Sequence, residues 1–193
     1  MEIKKRQYEI IKAAGEILNS SGIQGLTTKN LAEKIGVAEG TLYRHFNSKD
    51  EIIVTMGDFV LQTTKERLNV FFDKEKTELQ QLTTFFESQI LFVYQHPYFL
   101  KILFSDTILS VEDIYPRHLE MLYMIQERVT TAIKNGQKNG TIRNDIASDS
   151  TAHIIMSTYR MLMGKWVLLK YSFDIKKEVK KMSKTIIVLL QKM

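Results

Sequence analysis

The 193-residue sequence has no cysteine, two prolines, nine glycines and one tryptophan. Without cysteine there is no disulfide, no thiolate zinc site and no cysteine nucleophile, a composition that suits a reducing compartment. The scarcity of proline and glycine leaves few positions that would interrupt a helix. Long apolar runs are missing as well. The longest aliphatic stretch, Ile186 to Leu190, is far short of the roughly 20 residues that cross a bilayer. Glu2, Lys4, Lys5 and Arg6 lead directly into an amphipathic pattern without the apolar core of a signal peptide, so a cytoplasmic protein with no membrane partner is expected. No nucleophile motif, phosphate-cradling glycine loop or acid pair at a strand end occurs, so no enzyme activity and no cofactor are expected. His45, His96, His118 and His153 show no paired helical spacing, and no metal site is expected.

What is present is ordinary for a globular protein: 44% hydrophobic and 25% charged residues. The formal charge of +5 is compatible with a polyanionic partner, but it is spread along the chain. Residues 1–50 carry eight Lys/Arg against six Asp/Glu, a net of +2. Charge alone does not identify a nucleic-acid binder, so pattern has to.

Apolar residues recur at spacings of three and four, and no long segment alternates with period two, which makes the chain all-α with about nine helices. The expected helices run over 4–21 with Gly22 as C-terminal cap, from Thr27 or Thr28 to Gly36, and over 39–46. A fourth, opened by a Ser48/Glu51 capping box, runs to about Phe72. A fifth, 79–95, ends at His96-Pro97. The rest are 98–109, 116–134 with Pro116 in its first turn and Asn135-Gly136 as its stop, 148–171 and 174–192.

Two short helices joined by a glycine turn, Leu31-Ala32-Glu33-Lys34-Ile35-Gly36-Val37 and Gly40-Thr41-Leu42-Tyr43, have the dimensions of a helix-turn-helix. Ile35, Val37 and Leu42 would lock the crossing, leaving Glu39, Thr41 and Arg44 to face base edges in a major groove. A generic helical hairpin has the same spacing. The run Thr27-Thr28-Lys29-Asn30 through Val37, then Gly40-Thr41-Leu42-Tyr43-Arg44-His45-Phe46 and Ser48-Lys49-Asp50, resembles the signature of the TetR family of transcription regulators over about residues 8–55. Ala38 departs from the Ser or Thr that often caps the recognition helix there.

The resemblance implies a helix-turn-helix DNA-binding domain, 1–48, and a helical ligand-binding and dimerising domain, 49–193. It implies a homodimer on double-stranded operator DNA. The expected function is a sequence-specific regulator, a repressor, released from its operator by a small lipophilic effector. A helical ligand-binding or protein-interaction module with a merely structural hairpin is the alternative.

Tyr43 resembles the family's phosphate-contacting tyrosine, with core packing as its other reading. Lys49 resembles the lysine that meets phosphate at the start of helix four, where a cation is unfavourable without an anion nearby. Lys29 and Gly40 fall in the same matching run. Thr28 is either a backbone contact or a cap, and His45 either a backbone contact or packing. Arg44 reads guanine or holds a phosphate; Glu39 serves the helix dipole or reads cytosine. For the effector, Phe59, Phe86, Phe104, Tyr123, Met156, Tyr159, Met163 and Trp166 are candidate pocket residues, with ordinary core as the competing reading. Val179, Met182, Ile186, Ile187 and Leu190 repeat at spacings of three, four and seven. They form a candidate dimer stripe, against an intramolecular core.

Overall fold

In a computed structural model of the chain, residues 5–72, 76–105 and 111–192 are described. Among them are nine helical elements. These are α1 (Lys5–Gly25), α2 (Thr28–Ile35), α3 (Glu39–Leu42), α4 (Lys49–Phe71), α5 (Glu78–Gln95), α6 (Phe99–Phe104), α7 (Ile114–Asn139), α8 (Ser148–Leu168) and α9 (Ile175–Leu190). The all-α expectation holds. The chain forms two compact units, one from the described residues of Met1–Gln62 and His96–Leu119, the other from those of Thr63–Gln95 and Glu120–Met193. These compact units divide the chain within α4 and again near residues 95 and 119, where the sequence reading divides it once, after residue 48.

The reason is packing. The first half of α4 buries Ile52, Ile53 and Met56, and Phe59 meets Tyr8 of α1 and Phe99 of α6 with ring centroids 5.4 and 5.2 Å apart. A Cβ on Gly15 would lie 2.3 Å from Tyr98 Cδ2, and one on Gly57 would lie 2.7 Å from Ile114 Cδ1. Glycine thus lets α1 and α4 accept the chain segment that follows Pro97. Burial and the neighbouring Tyr8 hydroxyl hold the Tyr98 phenol well above its ordinary pKa.

In the second unit α9 packs along α5 and α8, around Leu82, Phe85, Phe86, Ile90, Tyr159, Val179 and Ile186. Helix α7 does not stop at Asn135-Gly136. It runs to Asn139, because Gly136 is a packing glycine: a Cβ there would come within 2.6 Å of Ile142 Cδ1. Gly140, with φ +82, makes the turn instead. Glu78 fastens that turn by accepting from Asn139 Nδ2 at 2.7 Å and Thr141 Oγ1 at 2.8 Å. Helix α8 ends three residues earlier than expected, where Lys170 and Tyr171 take positive φ. The part of the expected sixth helix that falls on residues 106–110 lies outside the described residues.

Candidate DNA interface and effector site

Helix α2 is held at both ends by local chemistry. Thr27 Oγ1 accepts from the Asn30 amide at 3.1 Å. Gly36, left-handed at φ 70, closes the helix by donating to Glu33, while the Val37 amide reaches back to the Ala32 carbonyl at 3.0 Å. Leu31, Ala32, Leu42 and Phe46 carry the buried crossing; Ile35 and Val37, expected to lock it, are only half-buried. Lys34 is spent on Glu16 of α1 at 2.9 Å.

Helix α3 starts from Ala38, whose side chain makes no cap hydrogen bond. Glu39 is exposed and its Oε2 accepts from Thr28 Oγ1 at 3.0 Å, which ties the N-termini of α2 and α3 together. Thr28 and Glu39 are therefore engaged with each other in the free protein. Tyr43 is 54% exposed, so core packing does not account for it. Lys29, Gly40 and Arg44 are exposed, whereas Thr41, His45 and Lys49 are half-buried. Lys49 opens α4, next to the capping box in which Ser48 Oγ accepts from the Glu51 amide at 3.1 Å and Glu51 Oε2 accepts from the Asn47 amide at 2.6 Å. Among the described residues, Lys29, Arg44 and Lys49 have no carboxylate partner. One short helix-turn-helix thus presents three unpaired cations, a phenol and a threonine hydroxyl over an apolar base, which suits phosphate and base-edge contacts.

The candidate effector residues divide. Phe59 and Phe104 belong to the first unit; Phe86, Tyr123, Met156, Tyr159, Met163 and Trp166 belong to the second. Within the second, Phe86 stacks on Tyr159 with centroids 4.1 Å apart, and the Tyr159 hydroxyl lies 3.0 Å from Ser183 Oγ. Burial pushes the Tyr159 phenol up to about 12. Trp166 Nε1 donates to the Phe173 carbonyl at 3.0 Å, and its ring stacks near Tyr94. Met156 and Met163 are half-buried. Tyr123, 65% exposed, points to solvent instead of lining an interior.

Of the candidate dimer stripe, Val179, Ile186 and Leu190 are buried within the chain itself, while Met182 and Ile187 are half-buried. The apolar side chains left in solvent are others: Ile154, Met161 and Leu168 on α8, at 67, 71 and 82% exposure, and Val188 and Leu189 on α9. Ile154, Met161 and Leu168 are spaced by seven in the sequence, but apolar residues recur throughout α8, so no single stripe marks them. An open groove of about 460 Å³ runs past Ile154 and Leu189, lined also by Ile155, Met182, Ile186 and Leu190 among others. No described helix is long and apolar enough to cross a membrane, and no described group of His, Asp or Glu could hold a metal ion.

Fold and site together define an all-helical, helix-turn-helix regulator of the DNA-binding class. Two family profiles match the chain: bacterial regulatory proteins of the tetR family over residues 10–56, and the C-terminal region of MAATS-type transcriptional repressors over 78–192. The chain belongs to the tetR family, a family of regulators and not of enzymes. A nucleoid occlusion factor, SlmA, from Alteromonas mediterranea is 30% identical over 138 residues, 72% of this chain and 69% of that one. The SlmA of Idiomarina loihiensis is 30% identical over 131 residues, 68% of this chain, which spans about 65% of that relative's length. Among solved structures, the ketosteroid transcriptional regulator KstR2 of Mycobacterium tuberculosis superposes with a TM-score of 0.84 at 16% identity, covering 100% of this chain and 98% of that one. FadR from Bacillus subtilis, in complex with stearoyl-CoA, does so with 0.79 at 17%, covering 94% and 98%.

Proposed function

We propose that the chain is a homodimeric, sequence-specific transcription repressor that leaves its operator when a small molecule with an apolar body binds the second unit. The observation that carries the DNA half is the set of unpaired side chains at the helix-turn-helix, Lys29, Tyr43, Arg44 and Lys49. Tyr43, Lys29 and Lys49 hold phosphates and position the protein, while Arg44 and Thr41 read bases. Ile154, Met161 and Leu168, with Val188 and Leu189, supply an apolar face for a second copy. A dimer two-fold then sets two recognition helices about one DNA turn apart on a pseudo-palindrome. Ligand control is supported by the aromatic interior of the second unit and by a structural neighbour solved with stearoyl-CoA. A ligand acts by preferring one of two arrangements of the dimer, with a coupling of about 1 to 3 kcal/mol.

Selection of bound duplexes from a random pool tests this reading. A palindromic consensus whose bases change in Arg44→Ala supports it, and retention of all duplexes alike sinks it. The similarity to nucleoid occlusion factors favours a second reading, in which operator-like sites serve nucleoid occlusion instead of a promoter. Mapping of occupied chromosomal sites separates the two: a few promoter sites fit the first, many dispersed sites the second.

A further inference from the structure

Arg67 of α4 lies in the second unit with its charge largely withdrawn from water and no ion-pair partner among the described residues; the neighbouring Glu66 carboxylate offsets its burial only in part. Its Nη2 donates to Thr64 Oγ1 at 3.2 Å and to Gln89 Oε1 at 3.1 Å. The guanidinium carbon sits 4.0 Å from the centroid of the Phe92 ring. None of the ion pairs among the described residues includes Arg67. Burial lowers its pKa to about 10, only partly opposed by Glu66.

Two donors in this cluster find no acceptor. Arg67 Nε and Gln89 Nε2 are both buried and unpartnered. The Gln89 amide cannot escape by flipping, because its oxygen is the group that Arg67 Nη2 uses; its NH2 stays a donor. Buried donors are nearly always satisfied, and a buried cation most of all. A water could accept from both nitrogens but would add no negative charge to the part supplied by Glu66. An oxyanion does both, and a guanidinium presents its Nε–H and Nη–H as a fork suited to it. The apolar side is the Phe92 ring beneath the guanidinium, and Thr64 Oγ1, which accepts from Arg67, lies 3.9 Å from Met121 Sδ.

We infer that Arg67 and Gln89 form the polar end of the effector site, and that the effector carries an oxyanion, a carboxylate or phosphate, on an apolar body. This rests on the effector-controlled reading above and changes its chemistry, from a neutral lipophile to an amphiphilic acid. The oxyanion accepts from Arg67 Nε and Gln89 Nε2, and the body lies against apolar side chains of the same unit.

Calorimetric titration of the full-length protein with matched probes tests this: dodecanoate, dodecyl phosphate and dodecanol, then 4-phenylbutyrate and 4-phenylbutanol. The wild type is expected to bind at least one oxyanion about 10 to 100-fold tighter than its alcohol, a range set by hydrogen bonds to a charged group. Whether carboxylate or phosphate wins identifies the head group. Arg67→Met removes the preference while changing alcohol binding less than about threefold, and Arg67→Lys keeps part of it because the charge survives without the fork. Equal binding of acid and alcohol by the wild type, binding of no probe, or a preference that survives in Arg67→Met overturns the inference. The wild-type comparison decides even if Arg67→Met fails to fold. Operator release is measured apart from binding. Selective acid binding without release leaves the site standing and removes the regulatory reading; release by neutral probes alone does the reverse.

Discussion

The two units solve opposite problems with polar side chains. Around α2 and α3 the buried positions are apolar, Leu31, Leu42 and Phe46, and the cations Lys29 and Arg44 stand in water without partners. In the second unit Tyr159 and Ser183 are buried and meet each other, and the Arg67 guanidinium is met by Thr64 and Gln89. A surface that must meet DNA phosphates stays hydrated until the partner arrives, whereas a site for a small molecule places its polar groups where water is excluded. Substitutions of polar side chains should therefore separate stability from binding in the first unit and couple them in the second, whereas the apolar base of the first unit affects both.

The largest effect expected is at the base of the DNA surface. Leu42 is 2% exposed, and Leu42→Ala leaves a cavity under α3, costing ~2 to 5 kcal/mol. Thermal unfolding should fall steeply and operator binding should vanish with it. A variant that melts like the wild type would show that α3 is held from outside its own core.

Next come two glycines of the first unit that look alike in sequence. Gly15→Ala drives a methyl into the Tyr98 ring, so the ring must move, at a cost of about 1 to 3 kcal/mol that outweighs the gain in helix propensity. Gly40→Ala meets nothing within 4 Å and should leave stability unchanged or raise it by up to about 1 kcal/mol. Equal melting temperatures for the two variants would break the contrast.

These glycines mark the limit of what was legible. Caps and spacing gave the start and end of α2, the Ser48/Glu51 box and the break at Pro97, because each is local chemistry. Gly136 was misread as a stop, since only the tertiary approach of Ile142 distinguishes a packing glycine from a turn glycine. The candidate DNA contacts are nameable from the sequence on two grounds: with Val37 and Leu42 inward a short helix leaves Glu39, Thr41 and Arg44 outward, and the family resemblance adds Tyr43 and Lys49. Arg67 carries no such local signal: an arginine on an amphipathic helix looks solvated until Gln89, 22 residues on, and Phe92 enclose it. For the same reason the stripe Val179, Ile186 and Leu190 could not be told from the truly exposed Ile154, Met161 and Leu168. Periodicity finds an apolar face and not what covers it.

A smaller effect is expected at the candidate DNA contacts themselves. Lys49→Ala and Tyr43→Phe should each change stability by less than about 0.5 kcal/mol while weakening every duplex alike. For Lys49→Ala the slope of log affinity against log salt should fall by about 1, as one released counterion is lost. Weakening confined to one operator sequence would move Lys49 from positioning to readout.

The smallest effect tests α3 alone. Ala38 has the extended backbone of an N-cap, φ −70 and ψ 145, and its side chain supplies no acceptor for the first turn of the helix. Its carbonyl already accepts from the Thr41 amide at 2.9 Å, so a serine hydroxyl needs no backbone change to reach a free amide there. Ala38→Ser should therefore stabilise by about 0.5 to 1 kcal/mol, roughly 1 to 4 °C in melting temperature for a chain of this size. The new hydroxyl stands beside the Thr28–Glu39 bond, where the N-termini of α2 and α3 meet and an operator phosphate would be received. Operator affinity should rise modestly with the selected sequence unchanged, measured by melting and by duplex titration at fixed salt. No gain in melting temperature would show that α3 is already fixed by Leu42 and Phe46, and a changed base preference would show that position 38 reads sequence.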